Sequence, residues 1–144
     1  MAITLDSITL PDGLRWTDEY AWVDDTVTAN YSVTGALIVQ RSTKQAGRPI
    51  TLTGGISFAW VTKVQLDVLK IALNTYTDAG LTLTLHDGRS FTVIPIPASA
   101  DSGIGTSTSG AIDATPIPMV GDSGPANPTS DTLYALNSIK FMII

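Results

Sequence analysis

Apolar and polar positions alternate along much of the chain at the two-residue period of strands, and one segment follows the period of a helix. Ile3, Leu5, Ile8 and Leu10 alternate in two pairs, with the phase slipping at Asp6-Ser7. The slip predicts a bulge or tight bend between short strands. Pro11-Asp12-Gly13 reads as a turn, in which proline sets φ and glycine supplies a left-handed position. Leu14 and Trp16 are two apart, as are Tyr20 and Trp22, so residues 16–22 read as an aromatic β segment interrupted by Asp18-Glu19. Residues 31–40 read as one strand with Gly35 at a bulge. Its run Ala36-Leu37-Ile38-Val39 is apolar on both faces, which predicts a central strand. A basic loop with Arg41, Lys44 and Arg48 follows, and alternation resumes at Ile50 and Leu52 until Gly54-Gly55 breaks it.

The spacing predicts a helix over 62–79. Thr62 and Gln65 have capping-box spacing, so each side chain can satisfy a free backbone N–H of the first turn. Gly80 is the residue type suited to the left-handed position after a helix. Lys63, Asp67, Lys70, Asn74, Thr77 and Asp78 share a polar arc. Leu66, Leu69, Leu73 and Tyr76 form one apolar stripe, and Val64, Val68, Ile71 and Ala72 form a second. A surface helix on a single sheet needs one stripe. Two stripes predict burial on two sides: against the chain's own sheet, and against a loop or another subunit.

The segment 81–96 predicts a hairpin. A two-residue turn at Asp87-Gly88 would place its apolar residues on opposite faces. A three-residue loop, His86-Asp87-Gly88, pairs Leu83 with Phe91 and Leu81 with Val93, and gathers them on one face. That register is the expected one, with Gly88 in the left-handed bulge position. Residues 98–131 are rich in Ser, Gly, Thr, Ala, Asp and Pro and read as a long, partly ordered loop excursion, of the kind that serves function or contacts partners. The chain closes with Ile139, Phe141 and Ile143 alternating, a final strand buried in a sheet. The expected fold is therefore mainly β (α+β): an antiparallel β-sandwich or partly open barrel with one packed helix, in a single domain spanning 1–144.

Composition bears on surface rather than fold. Only 15% of residues are charged, against roughly 25% in ordinary soluble domains, which implies apolar surface hidden against other copies or partners. A net charge of −5 argues against nucleic-acid recognition, which rests on clustered Lys and Arg. Cysteine is absent, which removes disulfides and thiolate chemistry. The N-terminus lacks the pattern of a signal peptide, and no apolar run approaches the roughly 18 residues of a membrane span. The expectation is assembly in the cytoplasm, without a membrane partner.

Candidate chemistry is sparse. His86 is the only histidine and falls at a hairpin tip, a poor place for a catalytic triad. One histidine without cysteine leaves little for a metal. Asp24-Asp25 reads as a solvated turn, because calcium needs more oxygen ligands at set spacing. The stretch 102–110 lacks the lysine of a phosphate-cradling loop. Trp16, Tyr20 and Trp22 read as core or sheet-covering rings, with a sugar platform as the alternative. No enzyme activity, cofactor or metal is expected.

Three segments together resemble a known family: Ser7-Ile-Thr-Leu-Pro-Asp-Gly-Leu-Arg-Trp-Thr-Asp-Glu-Tyr-Ala-Trp22; Thr34-Gly-Ala-Leu-Ile-Val-Gln40 with Gln45-Ala-Gly-Arg-Pro-Ile-Thr-Leu-Thr-Gly-Gly55; and residues 81–97. Their order, with a helix between the last two, resembles small tail or baseplate proteins of long-tailed bacteriophages, most closely the distal tail protein group. The resemblance implies a structural virion protein, a hexameric ring joining tail tube to baseplate hub. Tail tube and tail completion subunits are alternatives, as is a carbohydrate-binding β-sandwich. Ring closure needs two different patches that meet. The expected ones are a basic patch with Arg41, Lys44 and Arg48, and an acidic one with Asp18, Glu19, Asp24 and Asp25. Val68 and Ile71 on the second helix stripe are further interface candidates.

Overall fold

A computed structural model of the chain describes residues 2–96, 112–116 and 127–144. Its elements are β1 (Thr4–Leu5), β2 (Ile8–Thr9), β3 (Arg15–Trp16), β4 (Asp25–Tyr31), β5 (Leu37–Thr43), β6 (Pro49–Thr53), β7 (Trp60–Thr62), α1 (Lys63–Asn74), β8 (Leu81–Thr84), β9 (Ser90–Pro95), β10 (Ile112–Pro116) and β11 (Leu133–Ile143). The main sheet runs β2-β1-β8-β9-β11-β6-β3, with β7 and β10 also on β11, and its pairings are antiparallel. The ends β2 and β3 do not pair with each other, so the barrel is open. A mainly β fold with one helix is as expected from the pattern.

The final strand organises this sheet. β11 pairs with β10 and then β9 along one edge, and with β7 and then β6 along the other. Ala135, Leu136, Ile139 and Phe141 are fully buried. The register shifts by one residue at Asn137, since Ser138 faces Asp113 and Leu136 faces Ala114. That bulge explains why Leu136 and Ile139, three apart, both face the core. Gly54 lies against it, donating its N–H to the Asn137 carbonyl at 2.8 Å. β10 corrects one expectation: residues 112–116 of the expected loop excursion form a strand on β11. The remainder of that excursion, apart from 127–131, lies outside the described residues, as does the stretch 102–110.

The first hairpin bends where the phase slips. Leu5 pairs with Ile8, and Asp6 takes a left-handed φ of 51°. Its carboxylate accepts the Thr82 N–H at 2.8 Å, which ties the bend to β8. The β8–β9 hairpin has the expected register, Leu81 with Val93 and Leu83 with Phe91. Its tip is closed by Leu85 N–H to the Arg89 carbonyl and Gly88 N–H to the Leu85 carbonyl, with Gly88 at φ 88°.

The helix starts as its capping box dictates: both halves form at Thr62 and Gln65. It ends at Asn74, earlier than the expected 79. Thr75 supplies the reason, because its N–H and its hydroxyl both bind the Ile71 carbonyl and cap the last turn. The chain then turns through Gly80, at φ 76°, into β8. Leu69 and Leu73 are buried on the sheet and Leu66 packs against the same core.

Candidate assembly surface

Residues 31–40 do not form one central strand. Tyr31 ends β4, Leu37 begins β5, and the two make a separate two-stranded sheet. The reason lies at the tip. Ser32 donates its N–H to the Ala36 carbonyl at 2.8 Å, and Gly35 donates to the Ser32 carbonyl at 2.9 Å with φ 84°. This repeats the bonding at the 85–89 tip, so Val33-Thr34-Gly35 is the counterpart of His86-Asp87-Gly88. Gly35 is a turn residue, not a bulge within a strand.

Register then sorts the side chains. Val27 pairs with Arg41, Ala29 with Val39 and Tyr31 with Leu37, all on one face. Thr26, Thr28, Asn30, Gln40 and Ser42 lie on the other, with Ile38 its one large apolar residue. The apolar run divides between the faces of the hairpin, with Leu37 and Val39 on the apolar one and Ile38 on the polar one. The apolar face is bare: Tyr31 is 77% exposed, and Val27, Leu37 and Val39 are each more than half exposed.

The second helix stripe is bare as well. Val64, Val68 and Ile71 are exposed by 49%, 47% and 62%, while Leu69 one residue from Val68 is at 2%. The sheet covers one stripe and leaves the other open. A surface ion pair, Lys63 with Asp67 at 3.2 Å, flanks the open stripe.

The two charged segments meet within one chain, where the expectation had them meet between copies. The Arg41 guanidinium pairs with Asp25 across the hairpin base. Lys44 donates to the Val23 carbonyl at 3.0 Å and lies 4.2 Å over the Trp22 ring, whose N–H is bound by Asp24. Arg48 donates to the Glu19 carbonyl at 2.6 Å and stacks 4.7 Å from the Trp16 ring. Arg89 approaches the same ring at 5.5 Å and pairs with Glu19 at 2.7 Å. Asp18 takes both the N–H and the hydroxyl of Thr51, which caps the free edge of β6 beyond β3. Arg41 and Lys44 tie the two sides of the hairpin base to each other, while Arg48, Arg89 and Thr51 hold the 18–19 segment against the sheet. Arg41 is on β5 itself and not in a loop. The Trp16 indole N–H and the Arg48 Nε are buried without a hydrogen-bond partner.

Two groups at the neighbouring tip have displaced pKa values. The backbone N–H of Arg89, and then its guanidinium, hold Asp87 below the usual carboxylate range. Glu19, and then Asp87, raise Arg89 above its ordinary value. His86 is exposed beside them at the tip. Among the described residues there is no group of three or more His, Cys, Asp or Glu placed to hold a metal, and no helix long and apolar enough to cross a membrane. The sequence reading named Val68 and Ile71 but missed Val27, Tyr31, Leu37 and Val39. The available signal was Thr34-Gly35 between two alternating runs, of the same form as Asp87-Gly88. Comparison with protein-family models, with curated proteins and with solved structures returned no match.

Proposed function

We propose that this chain is a structural subunit of a bacteriophage tail, forming a ring at the tail tip or baseplate between tail tube and hub, with no catalysis of its own. The observation that carries the reading is the open apolar face of β4–β5. A two-stranded hairpin is marginal in water by itself, and a contiguous apolar patch marks a surface that meets a partner. The bare helix stripe and the low charge point the same way. The resemblance to distal tail proteins supplies the setting: a virion component assembled in the host cytoplasm, whose partners are other copies and neighbouring tail proteins.

The sugar-platform reading gains less support. The Trp16 ring is faced by Arg48 and Arg89 and the Trp22 ring by Lys44, which leaves fewer free aromatic faces for a pyranose. Negative-stain microscopy of the purified protein, alone and mixed with tail-tube and hub proteins from the same phage, tests the proposal. Ring-shaped particles that dock on tube ends are expected. Monomers throughout, partners included, would contradict it.

A further inference from the structure

We infer that the β4–β5 hairpin is an arm that opens and closes as a unit of its own in the free chain, latched at its base by Lys44 on the Trp22 ring and by Arg41 on Asp25.

The arm lacks what holds the other hairpin. Both turn through the same kind of three-residue tip. β8 is flanked by β1 and β9 by β11, and Leu81, Leu83 and Val93 are buried. β4 and β5 pair only with each other, and every residue of the two strands is exposed except Asp25, which is partly covered. Such a two-stranded piece gains little from burial to offset the ordering of its backbone. Ala29 and Asn30, in the middle of β4, are residue types that strands disfavour. The pairing with the least support is thus gathered in one stretch of chain, and stretches of that kind open without the rest.

Hydrogen bonding sets the limits of the arm. Lys44 donates its N–H to the Asp24 carbonyl at 2.8 Å, and Ser32 donates to the Ala36 carbonyl at the tip. Bonded pairs alternate along an antiparallel ladder, so the amides of residues 26, 28, 30, 38, 40 and 42 point inward and those of 27, 29, 39 and 41 point to solvent. Beyond the Arg41–Asp25 pair, no side-chain hydrogen bond or ion pair crosses between the two strands among the described residues. Below the latch the chain belongs to the main sheet: Thr17 donates its N–H to the Thr51 carbonyl at 3.1 Å, and Ile143 donates to the Arg48 carbonyl at 2.8 Å. Opening therefore ends within 20–24 and 44–46, and the sheet around β11 stays closed.

The latch itself is shallow. The Arg41 side chain is 68% exposed, and an ion pair so open to water adds little. A contact made through the arm is made by its closed fraction alone, so the latch tunes the affinity of that contact. That consequence, unlike the opening, rests on the assembly reading.

Hydrogen exchange read by mass spectrometry tests the arm, on the full chain diluted until its mass is that of one copy. The inward amides of 25–43 are expected to exchange about 100-fold faster than those of β11, yet about tenfold or more slower than in an unstructured peptide. Lys44→Ala is expected to speed the arm by about 2- to 5-fold, the loss of an exposed cation–π contact, and to leave β11 unchanged. Arm and β11 exchanging at one common rate would mean that the hairpin opens only when the whole chain unfolds, and would overturn the inference. So would an arm that exchanges at the unstructured rate, which leaves no closed state, or one unaltered in Lys44→Ala. Each of these results leaves the assembly reading standing, since that reading falls on the mass in solution.

Discussion

A methyl group at position 54 would lie 2.2 Å from the Leu136 carbonyl oxygen and 2.5 Å from the Ala59 Cβ, so backbone and side chain both crowd Gly54. Gly54→Ala is expected to cost about 1–3 kcal/mol or more, as overpacking does. Gly88 is constrained differently, by its φ of 88°. Gly88→Val forces a β-branched residue into that region and should cost roughly 1–2 kcal/mol or more. Thermal melts of both variants check this, and an unchanged midpoint for Gly88→Val would count against the bulged turn. Asp87 adds a pH dependence at the same tip. Its folded pKa is lowered, so the contacts it makes with Arg89 are present above the usual carboxylate range and fade as pH falls through the folded value. The Arg89 amide resonance should therefore move in acid, with a midpoint below that of an ordinary aspartate. A midpoint at the ordinary value would contradict the assigned hydrogen bond.

Helix and hairpin differ in how far the pattern reaches. The start of α1 was legible because a capping box is a local device, two side chains acting on one turn. Its end was not, because Gly80 drew the boundary outward while Thr75 closed the last turn from inside. The β8–β9 register was legible because only one loop length puts Leu81, Leu83, Phe91 and Val93 on a common face. The same argument applied to residues 25–43 would have found the other hairpin, but the unbroken run of 36–39 read more strongly as a central strand. The two charged segments already contact each other within one chain, where Arg41 and Asp25 pair across the hairpin. The two stripes of α1 give a sharp contrast at this scale. Leu69→Ala should cost about 2–5 kcal/mol, since Leu69 is 2% exposed. Val68→Ala, one residue away, should stay within roughly 0.5 kcal/mol in the dissociated chain. Denaturant melts of both at low concentration check the pair; equal losses would mean that the outer stripe is packed after all.

For the molecule as a whole, a buried sheet around β11 coexists with two apolar surfaces that the described residues leave uncovered. A chain with so little charge is expected to cover them by association, and the proposed role as a tail subunit gives that association the form of a ring. Mass in solution tests that claim most directly. Native mass spectrometry or light scattering across a concentration series should show a discrete closed species at six times the 15.2 kDa chain mass, with few open intermediates. A single species at the chain mass at every concentration, unchanged when tail-tube or hub protein is added, would contradict it.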